Sequence, residues 1–439
     1  MGPRYARQQA VEGWDQERLQ QAAIAVAGTG PTAFLCSLMA TAMGFGRIVL
    51  LGVDSRETKD ARREEGDPLR APRSWPEALR RINPEVRVYA CHLPLTESLA
   101  GKLPALDGVI VAGNGLPARK AGYRLAQEAG MPVVAGGAAG ACGIWGVPRV
   151  DRLALRLHGR EETPLLSQVI AALLVEELRK ALMPLTGEAG RSRGVNLVAL
   201  AAGTGARRRQ VALPAQRPRL ALVGAGALGT WFGLALGWSG LPAEMEIFDD
   251  DVIDETNLNR QVLFHDAVGQ PKAPVLAARL QKLFPRLQVS GYGMRADEES
   301  AADLCEAPVL VGCPDNFEAR ALLNRLARTH RRVLLSGGTS ATGGSCSLYE
   351  PGCTSCLSCR MRIDELARSE QGPQSCGQVH EASVVTSNAI TGALMALSYR
   401  HLLRQWSLAG TWEYDGTVRN RRIGLRSVRP GCRCHLLRA

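Results

Sequence analysis

The stretch LALVGAGALGTWFGLALGWSGLPAEMEIFDD, residues 220–250, decides the fold. A β-rich apolar run leads into Gly224, Gly226 and Gly229, an uncharged helical pattern follows, and a second strand is predicted at Met245–Phe248. The first two glycines allow a tight turn and a close approach of backbone to phosphate, and the third allows close packing of helix on strand. The sequence therefore predicts a strand-turn-helix-strand unit that binds a nucleotide.

Acidic residues follow the second strand of this unit. Asp249 stands where a carboxylate binds ribose hydroxyls, and Asp251 lies two positions further on. A glycine loop with an acid fits nicotinamide and flavin cofactors as well as ATP. If the pattern ended at Asp249, a dehydrogenase would be the favoured interpretation.

Amide and basic side chains come next, and they favour phosphate chemistry. They lie in the segments Asn257-Leu-Asn-Arg260-Gln261 and Gly269-Gln-Pro-Lys272. Phosphate transfer needs such groups to neutralise developing charge, whereas hydride transfer does not. Only six of the 53 basic residues are lysines, so Lys272 indicates a point charge placed for a phosphate.

A later apolar run, Val309–Gly312, reads as a buried parallel strand and is followed by Asp315 and Asn316. Ligands bind at the carboxyl ends of the strands in open α/β sheets. We therefore expect Asp315 to lie beside the glycine loop, where its carboxylate is suited to Mg²⁺.

Together these motifs resemble the ThiF/MoeB/HesA-type adenylating enzymes and the adenylation domains of ubiquitin-activating enzymes. The resemblance implies ATP as substrate, Mg²⁺ on Asp315 and a transition state stabilised by cations. It also implies a nucleotide site made of Gly224, Gly226, Gly229, Asp249, Asp251, Asn257, Arg260, Gln261, Lys272 and Asp315.

The first part of the chain repeats the pattern in weakened form. Gly28-Thr-Gly30-Pro-Thr-Ala33 mirrors the glycine loop, but Ala33 replaces its third glycine, and Asn114 stands where Asp315 stands. We therefore expect an α/β fold with two Rossmann-like ThiF-type domains, mainly parallel sheets and the arrangement of an intramolecular pseudo-dimer. Residues 1–216 form the inactive, degenerate domain and residues 217–439 the active one. Each half is predicted to end in a long apolar helix, Leu165–Leu182 and Asn388–Leu403, and a closing hairpin, with Arg207–Gln210 in the hairpin of the first half.

The segment Arg4-Tyr-Ala-Arg7-Gln8 resembles the Arg-Tyr-x-Arg-Gln motif of the family. In family dimers the second arginine reaches the partner's active site, so Arg7 is predicted to serve the site of the second half. The alternative is an ordinary basic segment without such a role.

Cysteines suggest a metal site and a nucleophile. Cys353 and Cys356, with Cys432 and Cys434 near the end of the sequence, would form a closed tetrahedral zinc site, although His435 or Cys359 could replace a ligand. A polar crossover segment, residues 360–387, contains Cys376. By resemblance Cys376 is the cysteine that accepts an acyl group, the alternative acceptor being Cys359, and His380 could assist it as a base.

Composition narrows the remaining classes. The net charge is +11, but aromatic residues are only 5% and no basic run interleaves with them, so nucleic-acid binding is disfavoured. Two uncharged runs, Ala22–Gly46 and Leu220–Ala243, are long enough to span a bilayer, yet a glycine-rich turn interrupts each, which argues against a membrane helix. The sequence shows no signal peptide, and we expect a cytoplasmic protein.

These observations predict an ATP-dependent enzyme that adenylates the C-terminal carboxylate of a ubiquitin-like β-grasp protein and transfers it to Cys376 as a thioester. A conjugating-enzyme-like protein would then accept the acyl group, as in a bacterial ubiquitin-like conjugation pathway. The alternative within the class is activation of a sulfur-carrier protein or peptide for thiocarboxylate or amide formation. Alternatives from other classes are an NAD-dependent oxidoreductase and a non-catalytic nucleotide-binding scaffold.

Overall fold

The computed structural model describes residues 2–53, 75–113, 115–139, 142–146, 163–188, 195–199, 207–208, 217–370, 382–404, 406–407, 410–419 and 422–427. We call residues up to 216 the first half and the remainder the second half. The elements of the first half are α1 (Ala6–Gln9), α2 (Gln16–Gln21), β1 (Ala23–Ala27), α3 (Pro31–Met43), β2 (Arg47–Leu51), α4 (Trp75–Ile82), β3 (Arg87–Cys91), α5 (Glu97–Ala100), β4 (Gly108–Ala112), α6 (Leu116–Glu128), β5 (Val133–Ala139), β6 (Cys142–Gly146), α7 (Pro164–Leu182), β7 (Val195–Ala199) and β8 (Arg207–Arg208).

Strands β1 to β7 form one sheet in the order β3-β2-β1-β4-β5-β6-β7. Strands β1 to β5 are parallel, and β6 and β7 continue the sheet in antiparallel pairing. All five residues of the central strand β1 are buried, as expected for a strand covered on both faces. The 3-2-1-4-5 order of the parallel part is that of a doubly wound nucleotide-binding sheet.

The second half repeats this architecture. Its elements are β9 (Arg219–Val223), α8 (Ala227–Trp238), β10 (Glu244–Phe248), α9 (Lys272–Leu283), β11 (Gln288–Tyr292), α10 (Ala301–Glu306), β12 (Val309–Gly312), α11 (Phe317–Thr329), β13 (Val333–Thr339), β14 (Gly343–Tyr349), α12 (Leu357–Met361), α13 (Ile363–Glu370), α14 (Val385–Leu403), β15 (Trp406–Ser407), β16 (Gly410–Asp415) and β17 (Ile423–Ser427).

The second sheet has the order β11-β10-β9-β12-β13-β14-β16-β17, with its first five strands parallel. The predicted α/β class with two mainly parallel sheets is therefore confirmed. The two uncharged runs fold as β1 with α3 and as β9 with α8, each joined by a glycine turn. No helix in the described part of the chain is long and apolar enough to cross a membrane.

The halves pack against each other through their long helices. Helix α7 contacts α14 and α8, and Leu173, Trp231 and Leu394, one from each of these helices, are fully buried in one continuous hydrophobic cluster. Both long helices have 19 residues, and α14 begins at Val385, three residues before the predicted Asn388. A shared core of this kind holds the two halves as an intramolecular pseudo-dimer.

A buried ion pair also joins the halves. The guanidinium of Arg422 contacts the Glu177 carboxylate of α7, and both side chains are fully buried. Arg422 also lies over the ring of Trp145, 4.7 Å from the ring centre. Removing one member of such a pair leaves an uncompensated buried charge, so the pair fixes which surfaces meet.

Strand β8 differs from the expectation. Arg207 and Arg208 were predicted to lie in the closing hairpin of the first half, but they pair antiparallel with Ser407 and Trp406 of β15. In the described residues, β7 pairs with β6. The prediction was wrong because a repeat in sequence shows which segments are equivalent, but not which half supplies the partner strand.

Candidate active site

One cleft of about 410 Å³ lies at the carboxyl ends of β9, β10 and β12, where the topology places ligands. This volume is within the range of small-molecule sites. The cleft brings together residues from the glycine loop, the acidic run after β10, the turn before α9, the loop after β12 and α1 of the first half. Among its lining residues are Arg7, Gly224, Gly226, Asp249, Asp251, Asn257, Arg260, Gln261, Lys272, Arg295, Asp315, Arg320, Thr339, Ser383 and Asn388.

The glycine loop has the geometry that its glycines require. Gly224 has a φ of +99°, and a Cβ added there would lie 2.6 Å from the carbonyl oxygen of Cys313. A Cβ on Gly229 would lie 2.1 Å from the carbonyl oxygen of Gly224. Gly229 does not line the cleft itself, and it lets α8 start close beneath the loop.

Asp249 ties this loop to the end of β10. Its Oδ2 accepts a hydrogen bond from the Ala225 N–H at 2.6 Å, and its Oδ1 accepts one from the Asp251 N–H at 2.9 Å. Burial raises the pKa of Asp249, while the nearby Lys272 opposes that rise. A carboxylate has about four acceptor positions, so these two bonds leave lone pairs for ribose hydroxyls.

Lys272 begins α9 and faces the acidic run. Its Nζ donates to Asp251 Oδ2 at 2.6 Å, and its side chain is 9% exposed whereas that of Asp251 is 63% exposed. The Lys272 N–H also donates to the Asp251 carbonyl at 2.9 Å. The amine is therefore held in the cleft by a carboxylate that solvent reaches, and a phosphate can compete for it.

The Asn257–Gln261 turn is organised by its own hydrogen bonds. Asn257 Oδ1 accepts from the Asp254 N–H at 2.9 Å and completes a capping box. Arg260 Nη1 donates to the Thr256 carbonyl and to Asn259 Oδ1, at 2.7 and 2.9 Å. Two cleft residues predicted from sequence, Asn257 and Arg260, are thus both buried and preorganised.

Helix α1 of the first half completes this wall of the cleft. The Arg7 carbonyl accepts from the Ser383 N–H at 3.0 Å, and Asn259 Nδ2 donates to Gln8 Oε1 at 3.0 Å. Arg7 Nε is buried without a hydrogen-bond partner among the described residues. The structure thus brings an arginine of the first half to the nucleotide-site candidates of the second half.

Asp315 lies on the loop between β12 and α11, exposed at the rim of the cleft. Asn316, the next residue, caps α11, because its Oδ1 accepts from the Ala319 N–H at 2.8 Å. Asp315 Oδ1 accepts a long hydrogen bond from Asn316 Nδ2 at 3.4 Å, and the rest of the exposed carboxylate can face a ligand while Asn316 is fixed by its cap.

Two cleft arginines, Arg295 and Arg320, were not predicted from the sequence. Arg295 follows the carboxyl end of β11, so the rule that pointed to Asp249 and Asp315 would have found it. Arg320 lies in the first turn of α11, and its Nε and Nη2 donate to the Pro314 carbonyl at 3.2 and 3.0 Å. Its signal was an arginine five positions after Asp315, one helical turn from the loop.

Cys376 and His380 lie outside the described residues; of the two described segments that flank them, one lines the cleft and the other contacts the residue after Asn316. On one side Glu370, the last residue of α13, accepts from the Phe317 N–H through Oε2 at 2.6 Å. On the other side Ser383 lines the cleft and accepts a hydrogen bond from Asn388 Nδ2 at 3.0 Å. The segment that contains Cys376 is therefore anchored at both ends beside the candidate nucleotide site.

Half of the predicted zinc ligands lie in described residues. Cys353 is in the turn after β14, and the fully buried Cys356 is the N-cap residue of α12. Asn324 fixes this turn, since its Oδ1 accepts from the Leu357 N–H at 2.9 Å. Cys359 is exposed one turn later. Cys432, Cys434 and His435 lie outside the described residues, and the two thiols that are described fit a zinc site in spacing.

The chain is similar in sequence or structure to several known proteins. The NEDD8-activating enzyme E1 catalytic subunit of Schizosaccharomyces pombe is 30% identical over 173 residues, covering 36% of this chain and 39% of the relative. The sulfur carrier protein ThiS adenylyltransferase of Escherichia coli is 30% identical over 142 residues, covering 31% and 56%. A crystal structure of E. coli MccB with ATP is 23% identical and covers 48% of this chain and 64% of that one, with a TM-score of 0.40.

The chain spans less than two thirds of the length of these relatives. The sequence model of the ThiF family matches residues 201–434, which include all the cleft residues except Arg7. This match confirms the resemblance drawn from the motifs. Because it extends over more than half of the 439 residues, the chain belongs to the ThiF family.

Proposed function

We propose that the protein uses ATP to adenylate the C-terminal carboxylate of a ubiquitin-like β-grasp protein and then carries the acyl group on Cys376 as a thioester. The observation that supports it is the single cleft that unites a glycine loop with Arg7, Arg260, Lys272 and Asp315. Four functional groups drawn from distant parts of the chain meet where a triphosphate would lie. Relatives named as an activating enzyme and as an adenylyltransferase support the same reaction class.

ATP would lie across Gly224–Gly229 with its ribose on Asp249. Asp249, Asp250 and Asp251 bring three carboxylates within 4.8 Å of one another, so this side of the cleft disfavours phosphate and suits hydroxyls. The phosphates would lie towards Lys272 and Arg260, with Asn257 and Gln261 as further donors. Asp315 would hold Mg²⁺, which neutralises phosphate charge when bound.

In the first step a carboxylate oxygen of the substrate protein attacks the α-phosphorus. The new O–P bond forms as the bond to the β-phosphate oxygen breaks, so that acyl-AMP forms and pyrophosphate leaves. The carboxylate is already ionised at neutral pH and needs no general base. Positioning by the loop and charge stabilisation by Arg7, Arg260 and Lys272 therefore supply the catalysis.

In the second step the Cys376 thiolate attacks the acyl carbon. A C–S bond forms, the bond to AMP breaks, and AMP leaves with the electron pair. Cys376 is seven positions before Ser383, and seven residues span at most about 25 Å, so the thiol is tethered within reach of the cleft. The thioester would pass to a conjugating-enzyme-like acceptor in the cytoplasm.

The division of labour between the halves is part of the proposal. Residues 217–439 would form the active domain, and residues 1–216 a degenerate domain that supplies Arg7. Zinc would hold the turn of Cys353 and Cys356 to Cys432 and Cys434, and its role would be structural. Metal analysis should find about one zinc per chain, and a metal-free protein of unchanged thermal stability would refute the site.

The substrate class has one competitor with support. A relative named as a ThiS adenylyltransferase indicates that a sulfur-carrier protein is the alternative substrate. A thioester on Cys376 distinguishes the two outcomes, because conjugation requires the acyl group to be carried on the enzyme. Ubiquitin-like and sulfur-carrier β-grasp proteins should therefore be tested side by side.

ATP–pyrophosphate exchange tests the first step. We expect exchange only when a β-grasp protein is added, and Lys272→Ala and Asp315→Ala should each reduce it by about a hundredfold or more. Lys282→Ala is the matched control, because Lys282 is exposed on the same helix. Undiminished exchange in both site variants would refute the site.

The second step has its own test. Cys376→Ala should retain exchange and lose the covalent adduct with the substrate protein that thiols cleave. An adduct that persists in Cys376→Ala would move the nucleophile to another cysteine, with Cys359→Ala as the next variant. Exchange without any adduct in the wild-type protein would favour the sulfur-carrier alternative.

A further inference from the structure

An arginine side chain donates hydrogen bonds to the loop that carries Asp315, and the first half has a similar but not identical contact. Helices α6 and α11 each contain 13 residues, and Arg119 and Arg320 are each the fourth. Arg119 Nη2 donates to the Gly113 carbonyl at 2.7 Å, and Arg320 donates to the Pro314 carbonyl. Each arginine therefore holds the carbonyl six positions before it, on the loop after the equivalent strand.

The two arginines use different numbers of nitrogens to bind their carbonyl. Arg320 uses both Nε and Nη2 on Pro314, whereas the bond of Arg119 to Gly113 is made by Nη2. Two donors on one oxygen fix the direction of the carbonyl as well as its distance. The peptide that links Pro314 to Asp315 is thus oriented more strictly than its equivalent in the first half.

The neighbouring strands also differ between the halves. Strands β5 and β13 each have seven residues, and their sixth residues are Ala138 and Gly338. A Cβ on Gly338 would lie 2.5 Å from Arg320 Nη1 and 3.2 Å from its Cζ. The guanidinium of Arg320 therefore occupies space that only glycine leaves open, and the first half has an alanine there.

We propose that Arg320 and Gly338 form a clamp that positions Asp315 for the reaction. Arg320 acts through the Pro314 carbonyl and is a positioning residue. The role assigned to Asp315 rests on the proposed function, whereas the clamp itself is a property of the loop. Loss of the clamp should free the loop from residue 313 to residue 319 and spread Asp315 over several positions.

The clamp can be disrupted by Arg320→Lys or by Gly338→Ala. Lysine offers one nitrogen in place of a planar pair, and alanine displaces the intact guanidinium. Each variant should lower exchange turnover roughly tenfold and raise the Mg²⁺ concentration for half-maximal rate several-fold, with ATP affinity in the absence of Mg²⁺ unchanged. The double variant should be no worse than either single one, because both remove the same contact.

Arg119→Lys is the matched control and should leave turnover and Mg²⁺ dependence within twofold of wild type, as expected for the half without Asp315. Amide hydrogen exchange over residues 313–319 gives a readout that needs no activity. We expect faster amide hydrogen exchange over these residues in both clamp variants. Three results would overturn the clamp. They are unchanged amide hydrogen exchange in both clamp variants, additive losses of turnover in the double variant, and a loss of turnover in Arg119→Lys equal to that in the clamp variants. Absence of activity in the wild-type protein would overturn the proposed function alone.

Discussion

The two glycine loops have the same turn above the same kind of sheet but differ at their third position. Gly28 has a φ of +139° and Gly224 one of +99°, and in both loops an added Cβ would collide with a carbonyl oxygen of the neighbouring strand end, that of Ala112 or of Cys313. The turn is therefore kept in both halves. At the third position the first half has Ala33 and the second Gly229.

This difference separates what the fold needs from what the nucleotide needs. A φ in the left-handed region requires glycine at the turn whether or not a ligand binds. The third glycine of a nucleotide-binding loop serves the close packing of the following helix on the strand. Retention of the first glycine and loss of the third agree with the proposal that the first half keeps this loop for its fold.

The largest effect is expected when the third glycine of the second half is replaced by the alanine of the first. In Gly229→Ala the new Cβ would meet the Gly224 carbonyl oxygen at 2.1 Å, so α8 or the loop must move. We expect ATP affinity to fall at least a hundredfold, measured by calorimetry. Ala33→Gly is the reciprocal control and should create no second ATP site; a stoichiometry of two would show that Ala33 alone disabled the first half.

Substitution of Arg7 tests whether catalysis in the second half depends on a residue of the first half. Arg7→Ala should lower exchange turnover roughly thirtyfold to a hundredfold, with ATP affinity changed less than threefold, because a transition-state contact is lost. Arg18→Ala, at an exposed position of α2, is the control. Full turnover in Arg7→Ala would mean that the first half contributes shape alone.

The smallest effect concerns matching positions on the two long helices. Lys180 and His401 are each the seventeenth residue of a 19-residue helix, and both are buried. Burial, together with the nearby Arg400 and Arg404, lowers the pKa of His401 to about 4. Unfolded histidine has a pKa near 6.5, so the unfolded state binds the proton first as the pH falls.

The sign follows from that order. His401 contributes its full stability above pH 6.5 and loses it as the pH falls towards 4. We expect the free energy of unfolding to fall by about 2 kcal/mol over this range, and His401→Gln to reduce that slope. His330→Gln, at an exposed position, should leave the slope unchanged. Equal slopes in wild type and His401→Gln would show that other groups set the acid limit.

Residues governed by local rules were predicted well from the sequence. The predominantly parallel sheets and the candidates Gly224, Asp249 and Lys272 follow from apolar runs, glycine turns and the carboxyl ends of strands, and the structure places these three residues in one cleft. Residues that act through distant contacts were missed. Arg320 has a local signal in its spacing from Asp315, but its contact with Gly338 has none. The pairing of Arg208 with Trp406 spans almost 200 positions and also leaves no local pattern.

The hydrogen bond from the Ser383 N–H to the Arg7 carbonyl also has a consequence for biosynthesis. A ribosome makes Arg7 long before Ser383, and the glycine loop emerges between them. A nascent chain that has reached the loop but not residue 383 has the means to fold around a nucleotide and to hold Gln8 through Asn259, but the Arg7 carbonyl still lacks the Ser383 N–H. Completion of the cleft is thus deferred until Ser383 has been made, and products interrupted before it should bind ATP without consuming it.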